Sequence, residues 1–139
     1  MKTEDFHFDH FSWEHNINFV HYAGSHSLPI RYDLPDEDLY PLLNQINGVY
    51  FTGGGIIDLL GSPYYKTARK IFDYSIEQMD KHNITWPVFG ICQGFETLHL
   101  LANNASTDTL TYVEIYSESR PYDWQVNPKA DSRVFSEFP

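Results

Sequence analysis

Two short strings hold the residue types that could do chemistry. Gly90-Ile91-Cys92-Gln93-Gly94 sets the chain's one cysteine between two glycines, and Thr52-Gly53-Gly54-Gly55 is a glycine run upstream of it. Trp86 to Phe89, just before the cysteine, is a short apolar run, and the residues after it have helical spacing, with Phe95, Leu98 and Leu101 three apart. A buried strand, a tight turn and a helix is the simplest reading, which is the layout of a nucleophile elbow with a thiol in place of the hydroxyl. Such a turn lifts Cys92 out at the carboxyl end of a sheet. It also sets the sulfur at a helix N-terminus, where unpaired N–H groups and the helix dipole favour an anion. The amide of Gln93 is then free to help hold an oxyanion. The competing reading of the pentapeptide is an ordinary buried cysteine, a common core residue.

The glycine run follows the apolar triplet Val49-Tyr50-Phe51. Its N–H groups could form an anion-binding nest, or the run could be a plain flexible loop. No Lys-Ser/Thr pair follows it, which excludes a P-loop. His7, Asp9, His10 and His15 are metal-ligand types near the start, but no second convergent pair accompanies them, so no metal site is predicted. No cofactor is predicted either.

The elements that must position these residues follow from periodicity and punctuation. Residues 1–16 read as an irregular, partly helical leader. Residues 17–23 read as a helix end closed by Gly24, and 28–32 as a short strand with Pro29 at its start. Pro35 and the acidic run Asp36-Glu37-Asp38 open a helix with Leu39, Leu42, Leu43 and Ile46 on its apolar face, stopped by Asn47-Gly48. Pro63 opens the longest helix, to about Lys81, with an inner stripe of Ala68, Ile71, Phe72, Ser75, Ile76 and Met79. Asn103-Asn104 ends the elbow helix, and residues 110–116 alternate as a further strand. Strands alternating with helices predict an α/β domain with a mostly parallel sheet, whose ligands gather at the carboxyl ends of the strands. The glycine run and Cys92 both fall at such ends.

A length of 139 residues suits one domain, and 42% hydrophobic content supports a core. Nineteen acidic against nine basic side chains give a formal charge of −10, which argues against non-specific binding to a nucleic-acid backbone. One cysteine forms no intrachain disulfide. No run approaches the ~18 apolar residues of a membrane span. Residues 1–9 are too polar for a signal peptide, which predicts either a cytosolic chain or a longer precursor. Asn83-Ile84-Thr85 and Asn104-Ala105-Ser106 match the glycosylation pattern, which recurs often by chance.

The strings Ile46-Asn47-Gly48-Val49-Tyr50-Phe51-Thr52-Gly53-Gly54 and Pro87-Val88-Phe89-Gly90-Ile91-Cys92-Gln93-Gly94-Phe95-Glu96 resemble those of the γ-glutamyl hydrolases. So do the helix from Tyr64, the approach Phe19-Val20-His21-Tyr22 through Asp33-Leu34, and the closing segment Ser132-Arg133-Val134-Phe135-Ser136-Glu137-Phe138-Pro139. These are folate polyglutamate-cleaving peptidases of the class I glutamine amidotransferase-like group. The resemblance covers residues 17–139 and implies a three-layer α/β/α fold with a doubly wound, mostly parallel sheet. It implies Cys92 as the nucleophile on a γ-glutamyl amide, a thioacyl-enzyme, and an oxyanion held by Gly53, Gly54 and Gln93, with Glu96 in support. The substrate class is folyl-poly-γ-glutamate, a homodimer stays open, and the group is lysosomal, vacuolar or secreted. Two features depart from the pattern. The group's base is a histidine in a downstream Trp-His-Pro-Glu-type string, whereas the last histidine here is His99, two helical turns past the cysteine. No residue takes the base role, and a missing base costs roughly 10²–10⁴-fold. The group's first, central strand has no counterpart in residues 1–16. Both gaps predict a domain truncated at each end. The alternatives are a non-catalytic polyglutamate-binding remnant and a glutaminase-type amidotransferase subunit.

Overall fold

The computed structural model describes residues 12–111. The chain divides into two compact units, Met1–Thr109 and Leu110–Pro139, and every element named below lies in the first. In chain order these are α1 (Glu14–Tyr22), α2 (Asp36–Leu43), β1 (Val49–Phe51), α3 (Pro63–His82), β2 (Val88–Gly90) and α4 (Gln93–Ala102).

β1 and β2 pair in parallel, with Val49 opposite Val88, Tyr50 opposite Phe89 and Phe51 opposite Gly90. The ladder continues at both ends. Val49 N–H donates to the Pro87 carbonyl at 3.0 Å, and Ile91 N–H donates to the Phe51 carbonyl at 3.1 Å. Parallel neighbours need a crossover, and α3 supplies it. The order strand, helix, strand, helix with a parallel pair makes this an α/β domain.

The capping chemistry of α3 explains its length. Ser62 is the N-cap, its Oγ accepting from Tyr65 N–H at 3.1 Å, and Pro63 occupies the first helical position. At the other end Asn83 takes a left-handed conformation (φ 54°), and Ile84 N–H closes onto the Gln78 carbonyl at 3.0 Å. α1 ends as expected at Gly24, the described glycine with positive φ (83°).

The core gathers Leu39 and Leu43 of α2, Phe51 of β1, Tyr65, Ala68, Ile71 and Tyr74 of α3, Trp86, and Leu100 and Leu101 of α4. Trp86 fixes the approach to β2. Its ring meets Tyr74 edge-on at 5.1 Å, and its Nε1–H donates to the Ile46 carbonyl at 3.0 Å. Arg69 donates to the Leu101 carbonyl at 2.9 Å, tying α3 to the last turn of α4.

Several sequence expectations shift. Residues 28–32 form no strand: Thr67 of α3 donates its hydroxyl to the Tyr32 carbonyl, so a side chain takes the place of a ladder partner. Ala68, Ile71 and Ser75 of the expected α3 stripe are buried, but Ile76 and Met79 are about half exposed, and the buried face is completed by Tyr65, Thr67 and Tyr74. In α4 the buried face is Gly94, Thr97, Leu100 and Leu101, while Phe95 is 61% exposed. Of the expected face, Leu101 is in the core and Leu98 packs against it, so only Phe95 departs, and the three-residue spacing passed over Gly94 and Thr97 because neither is strongly apolar. α1 starts at Glu14, so residues 14–16 of the expected leader belong to that helix. The expected strand over 110–116 lies outside the described residues from Tyr112 on, as do His7, Asp9, His10 and the closing segment 132–139.

Candidate functional site

Cys92 sits at the junction of β2 and α4 as the N-cap of the helix, with φ 57° and ψ −123°. A non-glycine residue there is strained by about 1–3 kcal/mol. The turn that imposes this conformation leaves the cysteine exposed, so it is not a core thiol. Its two flanking glycines have separate steric reasons. A Cβ on Gly90 would lie 2.6 Å from the Gly94 carbonyl carbon and 2.8 Å from Phe95 N. A Cβ on Gly94 would run into the Phe51 carbonyl, 2.6 Å from its carbon, and lie 2.9 Å from the Thr52 oxygen. The first lets the helix start turn back over β2, and the second lets it lie directly on β1. Gly94 N–H to the Ile91 carbonyl (3.0 Å) and Glu96 N–H to the Cys92 carbonyl (3.1 Å) close the first turn.

The glycine run comes to the same place. A Cβ on Gly53 would meet Cys92 Cβ at 3.3 Å and Sγ at 3.7 Å, so the loop backbone passes against the sulfur. Next to it the Gln93 side chain reaches across to Ile56. Its Oε1 accepts from Ile56 N–H at 2.9 Å and its Nε2 donates to the Ile56 carbonyl at 2.8 Å. Among the described residues, the main-chain N–H groups of Gly53, Gly54 and Gln93 have no hydrogen-bond partner. The fold brings Cys92, Gly53, Gly54 and Gln93 next to one another. Glu96 is exposed on the first turn, and among the described residues its carboxylate has no partner.

An open cleft of about 420 Å³ lies over the sulfur. Its walls are Gly53, Gly54, Ile91 and Cys92 on one side and Tyr50 with Trp13, His15, Asn16 and Phe19 of the α1 region on the other. Phe19 packs on Tyr50 (5.3 Å between ring centroids) and stacks on Phe89 (6.2 Å), and Tyr50 Oη reaches Asn16 Oδ1 at 3.4 Å. Burial pushes the Tyr50 phenol up from its ordinary value. A second hollow, about 270 Å³, lies on the Gln93 side and includes Thr52 and Tyr64. Burial raises Tyr64 as well, with Thr97 opposing the shift.

The α1 residues are what the sequence reading missed. Trp13, Asn16 and Phe19 stand three apart, the spacing of one helix face, and that was the available signal. The Gln93 side chain was missed too, since nothing local reveals a partner 37 residues upstream. His99 hydrogen-bonds Thr109 Oγ1 at 2.7 Å near the far end of α4 and does not line the cleft. Among the described residues, no group of three acidic, histidine or cysteine side chains could hold a metal ion.

A family model described as Peptidase C26 matches residues 2–132. This chain belongs to the Peptidase C26 family. Its α/β architecture is accordingly of the glutamine amidotransferase-like kind. Among similar proteins, the human protein named gamma-glutamyl hydrolase is 33% identical over 123 residues, covering 88% of this chain and 37% of the relative. The rat protein of that name is 35% identical over the same span, with the same coverage. Gamma-glutamyl hydrolase 1 of Arabidopsis thaliana is 29% identical over 123 residues, covering 88% of this chain and 34% of the relative. The chain thus spans little more than a third of the length of these curated relatives.

Proposed function

We propose that this chain carries the acyl-transfer centre of a γ-glutamyl hydrolase, with folyl-poly-γ-glutamates as the substrate class. Cys92 sulfur adds to the carbonyl carbon of a γ-glutamyl amide. The carbonyl oxygen takes the negative charge, and the N–H groups of Gly53, Gly54 and Gln93 receive it. The amide C–N bond then breaks, the amine leaves with the proton that the thiol gave up, and a thioacyl-enzyme remains for water to release as the free acid and thiol. Glu96 supports the site rather than reacting, through its N–H, which donates to the Cys92 carbonyl.

The observation that carries this reading is an exposed cysteine at a strained helix start, beside a glycine loop whose N–H groups at Gly53 and Gly54 have no partner among the described residues. The relatives' shared name gives the bond to be cleaved. The test is thiol-dependent release of glutamate from a γ-linked polyglutamate, with a full-length relative as positive control. Release by the wild type and none by Cys92→Ser supports the proposal; no release by the wild type refutes it.

A second reading is a polyglutamate-binding module without turnover. It is favoured by one observation: among the described residues, no side chain hydrogen-bonds the Cys92 sulfur as a base would. Calorimetry showing polyglutamate binding without cleavage supports this reading, and no binding heat rejects it.

A further inference from the structure

We infer that the Gln93 side chain is a latch that holds the 53–55 loop against Cys92, and that it thereby positions the Gly53 and Gly54 N–H groups. A carboxamide offers one acceptor and two donors, and a peptide unit offers one donor and one acceptor. Gln93 and Ile56 match these in parallel, at 2.9 and 2.8 Å, as one rung of a sheet would. The loop has little else to hold it. Three successive glycines have high conformational entropy in the unfolded chain. Ile56 is exposed and Ile57 fully so, so neither buries an anchor. Among the described residues, no other hydrogen bond reaches residues 53–57.

The latch itself is mounted on a fixed point. Gln93 is the first residue of α4, and its carbonyl accepts from Thr97 Oγ1, a fully buried side chain, at 2.7 Å. It also explains a glycine that backbone geometry does not. Gly54 has no positive φ, yet an added Cβ would sit 2.9 Å from Gln93 Oε1. Position 54 therefore stays bare so that the carboxamide can pass over it. One residue thus acts twice: its N–H faces the site, and its side chain sets the facing wall.

The catalytic part of this inference rests on the acyl-transfer reading above, whereas the latch does not. Two variants break it from opposite sides: Gln93→Met keeps the volume and loses both bonds, and Gly54→Ala pushes the carboxamide aside. Amide hydrogen exchange at Ile56 should speed up at least about tenfold in each, since opening of the loop then loses its two bonds. An aldehyde analogue of a γ-glutamyl substrate reads the positioning. The thiol adds across the C=O, an S–C bond forms, the π pair moves to oxygen, and the thiol proton ends on that oxygen or in solvent. Its affinity should fall at least about tenfold further than the rate of Cys92 alkylation by iodoacetamide, which develops no oxyanion. Unchanged exchange at Ile56 overturns the latch. An aldehyde affinity that falls only in step with alkylation overturns the positioning role. If the wild-type chain neither captures the aldehyde nor releases glutamate, the acyl-transfer reading and the positioning role both fail, and exchange at Ile56 still decides the latch.

Discussion

Cys92 holds a conformation that glycine would adopt freely, and the side chain it presents is the reason to tolerate it. Cys92→Gly should therefore stabilise the fold by about 1 kcal/mol, the relief of strain less the extra unfolded-state entropy. Cys92→Ser keeps the strain and should leave stability near that of the wild type. Urea denaturation of the two variants checks both statements. The opposite holds at Gly94, whose missing Cβ is the space taken by the Phe51 carbonyl. Gly94→Ala should cost about 2–3 kcal/mol by overpacking, with the helix start displaced from β1. A third residue carries an unmet polar group: Tyr65 Oη is buried with no partner among the described residues. Tyr65→Phe should raise stability by about 1 kcal/mol, since it removes a hydroxyl that loses water and gains nothing. A lower denaturation midpoint for Tyr65→Phe would contradict that.

At the scale of elements, α3 is the crossover that lets β1 and β2 lie parallel, and its start is tied down twice through Ser62. The hydroxyl accepts from Tyr65 N–H at 3.1 Å and donates to the Leu59 carbonyl at 2.6 Å. Ser62→Ala should cost about 1 kcal/mol in thermal or urea unfolding. Next along the helix, the Tyr64 phenol is raised from 10.0 by burial, with Thr97 opposing. The folded state thus holds that proton more tightly than the unfolded state does. The contribution is complete below pH 10.0 and is lost as pH rises through the folded value. Comparing urea midpoints at about pH 8 and about pH 11, Tyr64→Phe should lose less stability than the wild type. The starts of α3 and α4 were legible in the sequence because Pro63 and the paired glycines act locally. The strand expected over 28–32 was not a strand, because Thr67, from a distant helix, satisfies the Tyr32 carbonyl. The buried faces of α3 and α4 were only half legible. Thr67, Gly94 and Thr97 are inward by packing, and apolar periodicity passes over them.

At the scale of the molecule, the carboxyl ends of β1 and β2 bring together two strings separated in sequence, and parallel pairing is what makes them neighbours. That convergence was legible from the glycines and the cysteine alone. The far wall of the cleft was not, because α1 supplies it, and Trp13 and Asn16 look like part of a ragged leader until they share a face with Phe19. The account as a whole stands on Cys92 forming an acyl bond. The most direct measurement is intact mass spectrometry of the chain incubated with a γ-linked polyglutamate and quenched in acid. The account predicts a thioester adduct on Cys92 that is lost on treatment with hydroxylamine and never forms in Cys92→Ala. An unmodified mass throughout, from protein whose Cys92 still reacts fully with iodoacetamide, would contradict it.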